Sequence, residues 1–468
     1  MERVLRPLLF VRVFGAAVVG AAMLVAACGG TSIAPDTGVQ ATLTAPAASS
    51  TPATEGSPST APVVEPPARL GSPTGRPHTA KPPDFEAVPG ATADFGTLGQ
   101  SVYRVEMPAD WNKKLVLYAH GVRLNTTELS VTSPERALRE AWIAEGYAWA
   151  ASSYSENEYV PGIGADDTLA LLDFVAEKYG EPEAVYLYGV SMGGHVTALL
   201  LEHYPERFDG ALAVCGAMGG QEQIDYLLAW GMAAEYISGV ELPIGGGVAA
   251  MAAALTQRVT AQLGTPDAPT AKGKQFQSVA RELSGGARPF FYEGILEHYS
   301  LNFGLLLIDP NRTSLIGRAA TNAGVEYGID DALGISDAQL NEGIRRLEAD
   351  PAVRDPQAYP DAVPTTGRIE DPLLTLHNTG DLFVPITHEV SYLEKVTAEG
   401  NADLLVQRAI RAPGHCQFSD EELLTAWSDL QAWVEDGERP RGDDFSDSLA
   451  DAGREWTVPL RPGDPGTP

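Results

Sequence analysis

The chain has 468 residues, of which 62 are Asp or Glu and 32 are Lys or Arg, giving a formal net charge of −30 at pH 7, with three cysteines. So acidic a surface repels phosphate backbones and anionic headgroups, which argues against nucleic acid or anionic lipid as a partner. The length is too great for a minimal domain and suits one large domain with an insertion.

The first residues, MERVLRPLLFVRVFGAAVVGAAMLVAACGG, carry Arg3, Arg6 and Arg12, then an uncharged run of 15 residues from Val13 to Ala27, then Cys28. A basic start, an apolar stretch shorter than the roughly 20 residues of a membrane span, and small residues before a cleavage point make an export signal. VAAC is similar to the lipobox of bacterial lipoproteins, which implies removal of residues 1–27 and a lipid on Cys28; ordinary secretory cleavage nearby is the alternative. Losing the leader leaves 29 basic and 61 acidic residues, so the exported part is no less acidic. From 28 to 94 the chain is Pro, Ala, Thr, Ser and Gly with almost no large apolar residue. Such a segment cannot bury enough surface to offset the entropy of ordering, and an extended, Pro-stiffened tether is expected.

Strands are predicted at SVYRVEMP (101–108), KLVLYAHG (114–121) and YAWAASS (147–153), the second a nearly continuous apolar run of the kind buried on both faces. DDTLALLDFVAEKYG (166–180) has helical spacing and ends on glycine. A strand over 184–188, a sharp turn holding Ser191, and a helix closing with LLLEHY before Pro205 follow. Further strands are read at 210–216, 372–381 and 403–410, with a helix beginning near His388 in ITHEVSYLEKV between the last two. Strand alternating with helix predicts an α/β fold with a doubly wound, mostly parallel sheet, in two parts, 95–220 and 366–440. The 145 residues between them, 221–365, are too many for a loop. Their runs LLAWGMAAEY, VAAMAAALTQRV and FYEGILEHYSLNFGLLLI read as helices, so a large helical cap over the catalytic end of the sheet is expected. Residues 441–468 read as a flexible tail.

Gly189-Val190-Ser191-Met192-Gly193, followed by Gly194, stands between an apolar strand and a helix. As a bare pattern it is weak, but this setting is the one a nucleophile elbow needs. The residues two before and two after the serine must lack bulk for strand and helix to approach, and the turn aims the Met192 N–H and the helix's positive end at a developing oxyanion. Asp381 lies just past one later strand, in LHNTGDLFVP, and His415 past the last, in RAPGHCQF. Serine, acid, histidine in that order is the α/β-hydrolase arrangement. On GVSMGG, TLHNTGDLFVP and APGHCQF the chain from about 100 to 437 resembles an α/β-hydrolase, with 221–365 outside the resemblance.

That resemblance implies Ser191 as nucleophile, His415 as general base and Asp381 as the acid that orients it. His120-Gly121-Val122 resembles the family's HGx turn, which implies the Val122 N–H as the second oxyanion donor beside that of Met192. Rivals for the base are His377 on a strand end and His388 at a helix start, and for the acid Asp371, which precedes its strand and so falls at the wrong end of the sheet. His195 and His203, in the helix after the elbow, read as structural. No cofactor or metal is expected, since His415-Cys416 lacks further ligands at usual spacing.

With Cys28 lipidated, an exported chain keeps two cysteines, Cys215 and Cys416, and an even remainder favours a disulfide. Cys215 ends the strand after the nucleophile strand, and the His415 loop must fold back over those strand ends. Two buried free thiols are the alternative. The pairing resembles the tannase and feruloyl esterase family, in which a cysteine beside the catalytic histidine is bridged towards the nucleophile. Their partner cysteine adjoins the serine, where this chain has Val190.

Phe290, Phe291, Tyr292, Tyr299 and Phe303 in the cap line either the substrate pocket or the cap's own core. The reading that follows is a serine hydrolase of small or oligomeric carboxylic esters, exported and held at a membrane only through the N-terminal lipid. The alternative is a serine aminopeptidase resembling secreted prolyl or tripeptidyl enzymes, with Glu293, Glu297, Asp330 or Asp331 meeting a substrate amine. A binding lipoprotein that kept the fold without catalysis is the remaining class. Oligomeric state leaves no mark on the sequence. Metabolic labelling with a palmitate analogue is expected to tag the wild-type chain and to fail on Cys28→Ala; label retained in the variant contradicts the lipid site.

Overall fold

A computed structural model describes residues 69–71, 75, 77–123, 126–243, 249–308, 319–354, 363–446 and 448–458. Cys28, the export signal and most of the tether lie outside the described residues. Eight strands form the main sheet: β1 (Ala91–Leu98), β2 (Ser101–Pro108), β3 (Lys114–Ala119), β4 (Ala148–Ser152), β5 (Ala184–Val190), β6 (Gly210–Val214), β7 (Leu373–Asn378) and β8 (Leu405–Ile410). Their order is β8-β7-β6-β5-β3-β4-β2-β1. β2 pairs antiparallel with β1 and β4, and every other neighbouring pair is parallel. The sheet is thus mostly parallel, as the alternation of elements predicts.

Helices cover both faces, which is why β3, β5 and β6 read as unbroken apolar runs. On one face lie α1 (Arg136–Ala144) and, last in the chain, α11 (Asp420–Asp436), whose Trp142 and Trp427 are fully buried and meet edge to face at 5.4 Å. On the other are α2 (Pro161–Tyr179), α3 (Met192–His203) and α10 (Thr387–Ala398), which bury Leu171, Leu199 and Tyr392. α11 starts in a capping box, with Ser419 accepting from Glu422 N–H and Glu422 answering at Ser419 N–H.

Between β6 and β7 come α4 (Glu222–Ser238), α5 (Ala249–Leu263), α6 (Ala271–Leu283), α7 (Phe291–Ile308), α8 (Asp337–Gly343) and the short α9 (Pro351–Arg354). They build a core of their own around Trp230, Phe276 and Tyr299, whose rings meet edge to face in sequence. Of the cap aromatics, Phe291 and Tyr299 are therefore cap core, Phe290 is half-buried, Tyr292 is exposed, and the Phe303 side chain lies outside the described residues.

Order extends beyond the boundaries expected from composition. In the tether range, Leu70 and Gly71 N–H donate to the Asp166 carboxylate at 3.0 and 2.8 Å, Thr79–Ala80 pairs with Glu128–Leu129, and β1 itself begins at Ala91. Isolated residues such as Leu70, Phe85 and Val88 tie this segment down, and composition averages over them. The C-terminal stretch read as a flexible tail is packed as far as Val458. β8 is an edge strand, and its open edge is taken up there: Asp443 N–H donates to Gln407 O, Ala409 N–H to Asp443 Oδ2, each at 2.8 Å, while Phe445 and Leu449 bury beside Ile386. An uncovered edge invites pairing with another chain. Deleting residues 441–468 is accordingly expected to lower the thermal midpoint and produce aggregation that grows with protein concentration, read by light scattering; a monodisperse variant of unchanged midpoint contradicts this.

Candidate active site

The turn from β5 to α3 holds Ser191 at φ 60° and ψ −119°, a backbone conformation costing a non-glycine residue roughly 1–3 kcal/mol. Neighbouring glycines permit it by close approach. A Cβ on Gly189 would lie 2.4 Å from Gly193 O, on Gly193 1.9 Å from Ala119 O, and on Gly194 2.5 Å from Gly216 Cα. Ser191 is thereby lifted to the C-terminal edge of the parallel sheet. Asp381 and His415 reach the same edge, from the loops after β7 and β8.

Those two loops are fastened to each other. Thr379 N–H donates to Ile410 O and Gly380 N–H to Ala412 O, both at 2.9 Å, extending the parallel ladder past the strands. Asn378 then grips Gln417 at both backbone groups, Nδ2–H to Gln417 O and Oδ1 from Gln417 N–H, each 2.8 Å. Asn378 is a residue the sequence reading missed; its only signal is an amide side chain at a strand end in the loop that carries the acid.

The three side chains form one continuous chain of hydrogen bonds. His415 Nε2 is 2.8 Å from Ser191 Oγ, and His415 Nδ1 is 2.5 Å from Asp381 Oδ2. Asp381 Oδ1 accepts Phe383 and Val384 N–H at 2.9 and 3.0 Å. Burial by itself would raise the Asp381 pKa, but the adjacent His415, with His377 and His298 beyond, outweighs it and holds the carboxyl below its ordinary value. The acid is fully buried, while Ser191 is 7% exposed and the His415 side chain 18%.

Beside Ser191 stands Gly121, where a Cβ would fall 3.0 Å from Ser191 Cβ. His120 Nδ1–H donates to Gly121 O at 2.7 Å, and the ring stacks on Tyr154 with centroids 3.9 Å apart. Burial lowers the His120 pKa to about 4, so this imidazole is neutral. With the Gly121 carbonyl held by His120, the Val122 N–H across the trans peptide points the opposite way. Met192 opens α3, and its N–H is one of the first four in the helix, which have no intrahelical acceptor. Val122, in the loop after β3, and Met192, the first residue of α3, are thus the two candidate oxyanion donors.

The rival residues are engaged with other partners. His377 is fully buried against Glu389 and Val384 O; burial opposes its charge, but Glu389 prevails and raises its pKa. His388 accepts Gly219 N–H, and burial lowers its pKa to about 3. His195 spans Tyr159 Oη and Val363 O, and burial lowers its pKa to about 4. His203 is exposed on α3. Asp371 precedes β7, at the far end of the sheet, where burial and then Asp209 push its pKa up to about 7. One buried histidine went unread in the sequence: His298 of α7, its Nδ1 bound to Gly294 O and its Nε2 3.7 Å from Asp381 Oδ1.

Cys215 and Cys416 are joined as a disulfide, Cα atoms 5.1 Å apart and 201 residues apart in sequence. The bond fastens the residue after His415 to the end of β6. Both sulfurs and a His415 ring nitrogen lie within 4.8 Å of one another, but bonded sulfurs offer no thiolate, and the trio is not a metal site.

Residues 161–260 match the model of a family described as serine aminopeptidase, S33. Over 434 residues, 78% of this chain and 92% of the relative, the chain is 23% identical to an o-phthalyl amidase of Xanthobacter agilis. Among solved structures it is similar to feruloyl esterase B of Aspergillus oryzae, at 13% identity and a TM-score of 0.43 over 73% of this chain and 78% of that one. It is also similar to Candida antarctica lipase A in its closed state, at 15% identity and a TM-score of 0.42 over 84% and 87%.

Unfolded, unreduced protein starting at Gly29 is expected to show no free thiol by Ellman titration. Replacing Cys416 by Ser should cost at most ~5 kcal/mol of stability and lower kcat more than it raises KM; two titratable thiols in the wild type, or an unchanged variant, contradicts the tethering.

Proposed function

We propose that this chain, which has the α/β-hydrolase fold, is a serine hydrolase that cleaves carboxylic esters through an acyl-enzyme. The observation that carries the reading is the unbroken Ser191–His415–Asp381 hydrogen-bond chain at the C-terminal edge of the sheet. In the mechanism Ser191 Oγ attacks the acyl carbon while His415 Nε2 takes its proton, and the carbonyl electron pair moves onto oxygen to give an oxyanion. Val122 and Met192 N–H stabilise that oxyanion; losing one such donor typically costs ~10²- to 10³-fold in rate. Collapse re-forms the carbonyl and expels the alkoxide, which takes the proton from His415. A water then attacks the acyl-serine, giving its proton to His415, and the second collapse returns that proton to Ser191 as the acid departs. Throughout, Asp381 holds His415 with Nδ1 protonated and balances its positive charge.

An ester substrate is favoured by an apolar side chain close to the serine: Val122, which follows Gly121, is 39% exposed. Amide or peptide cleavage is the second reading, and one residue favours it. Glu297, exposed on α7, places Oε1 2.8 Å from where a Cβ of Gly414 would lie, one residue before His415, and such a carboxylate can meet a substrate amine. The family description and the amidase relative point the same way. The proposal includes export and attachment through Cys28; the Cys215–Cys416 bond favours an oxidising compartment.

A panel of p-nitrophenyl esters and aminoacyl-p-nitroanilides tests both. Ester turnover should exceed anilide turnover, and Ser191→Ala should lower kcat by roughly 10⁶-fold. Faster anilide turnover selects the second reading, and activity surviving Ser191→Ala removes the mechanism.

A further inference from the structure

The loop that bears Asp381 is held from above by the cap through its carbonyl oxygens. Arg288 Nε donates to Thr379 O at 2.6 Å, Asn302 Nδ2 and Tyr226 Oη to Leu382 O at 2.7 and 2.9 Å, and Gln223 Nε2 to Phe383 O at 2.8 Å. Between them the backbone of α7 touches the loop, since a Cβ on Gly294 would lie 1.9 Å from Gly380 O. All four donors are buried, and a buried polar side chain that loses its partner has no water to replace it. Arg288 is itself fixed, through Gly286 O at 2.9 Å and Ser284 Oγ at 3.0 Å, with its guanidinium over the Phe291 ring.

The turn these bonds restrain also aims the catalytic carboxylate. Asp381 Oδ1 is fixed by the N–H groups of Phe383 and Val384, so the direction of Oδ2 towards His415 follows the tilt of residues 381–384. Core contacts hold the loop just before that stretch and at its last residue, through Gly380 N–H to Ala412 O and His377 Nε2–H to Val384 O. The carbonyls of Leu382 and Phe383, in the middle, are held by cap side chains.

We propose that Arg288 and Asn302, assisted by Tyr226, are positioning residues for Asp381, and that the edge of the cap built by α4 and α7 is a fixed part of the catalytic framework. The inference rests on the reading of Ser191, His415 and Asp381 as a working triad. Substrate access is then confined to parts of the cap other than this edge.

The test compares Asn302→Leu, Arg288→Met, the conservative Arg288→Lys and the mild Tyr226→Phe in the full chain. Readouts are kcat and KM on p-nitrophenyl acetate, the rate of Ser191 labelling by a fluorophosphonate, and the far-downfield proton resonance of the His415–Asp381 hydrogen bond. A misplacement of about 1 Å is worth ~10²-fold, so kcat and labelling should fall by roughly 10- to 100-fold in Asn302→Leu and Arg288→Met at nearly constant KM, with the resonance shifted or lost. Arg288→Lys should recover most of the loss and Tyr226→Phe should fall a few-fold. Folded variants with wild-type kcat and an unmoved resonance overturn the inference and leave the cap contacts as packing alone. Should Asn302→Leu and Arg288→Met fail to fold, an unchanged Tyr226→Phe overturns it equally. A wild-type protein that the fluorophosphonate does not label sinks the triad reading instead, which keeps the two failures apart.

Discussion

A carboxylate with no solvent exposure organises this molecule. Stripping water from an anion costs several kcal/mol unless charge and hydrogen bonds replace the lost hydration, and a lone buried Asp381 would sooner take up a proton. Here two backbone N–H groups hold one oxygen and His415 the other, while the imidazoles of His298 and His377 stand at 3.7 and 3.9 Å. The group stays ionised for this reason, and its direction is fixed because its own turn holds one oxygen while the loop after β8 supplies His415 to the other. The histidine that stabilises the buried charge is the one that meets Ser191, so electrostatic compensation and catalytic geometry are the same set of contacts.

Three loops bring the site together, each restrained by a different kind of force. Ser191 is held by sterics, in a strained turn that survives because glycines let β5, α3 and the end of β3 close on it. Asp381 is held by hydrogen bonds, partly from its neighbouring loop and partly from the cap. His415 lies 224 residues beyond the serine and is held covalently, through the disulfide of the next residue, and through Asn378 on Gln417. The covalent restraint falls on the loop that is half-exposed and has least of its own burial to keep it in place.

What the sequence made legible follows from where each signal is stored. Buried parallel strands announce themselves as apolar runs, and their C-terminal ends mark where a site must lie, so the serine, the acid and the histidine could be located from local pattern and chain order. β1 was not legible, because ATADFGTL is a half-exposed antiparallel edge without such a run. α1 and α6 were missed for a related reason: only Leu138, Trp142 and Ile143 in the one, and Phe276, Val279 and Ala280 in the other, are apolar side chains at buried positions. The packing of the segment after Arg441 depends on a strand edge that exists only once the sheet is assembled. Arg288 and Asn302 act on residues 91 and 80 positions away, and nothing in their own neighbourhoods marks them.

The cap therefore has two roles that pull on the same element. Its outward face on α7 carries the exposed Tyr292, Leu296 and Glu297, the last close to Gly414 beside His415, while its inward face carries Gly294, His298 and Asn302 to the acid loop. Gly294, His298 and Asn302 recur every four positions, and Tyr292 and Leu296 are likewise four apart, so the two sets run along different sides of one helix. Substitution on the outer face leaves the inner contacts to the acid loop in place. Movement of the helix as a whole disturbs the loop that bears Asp381, and that coupling limits how far the cap can open at this edge.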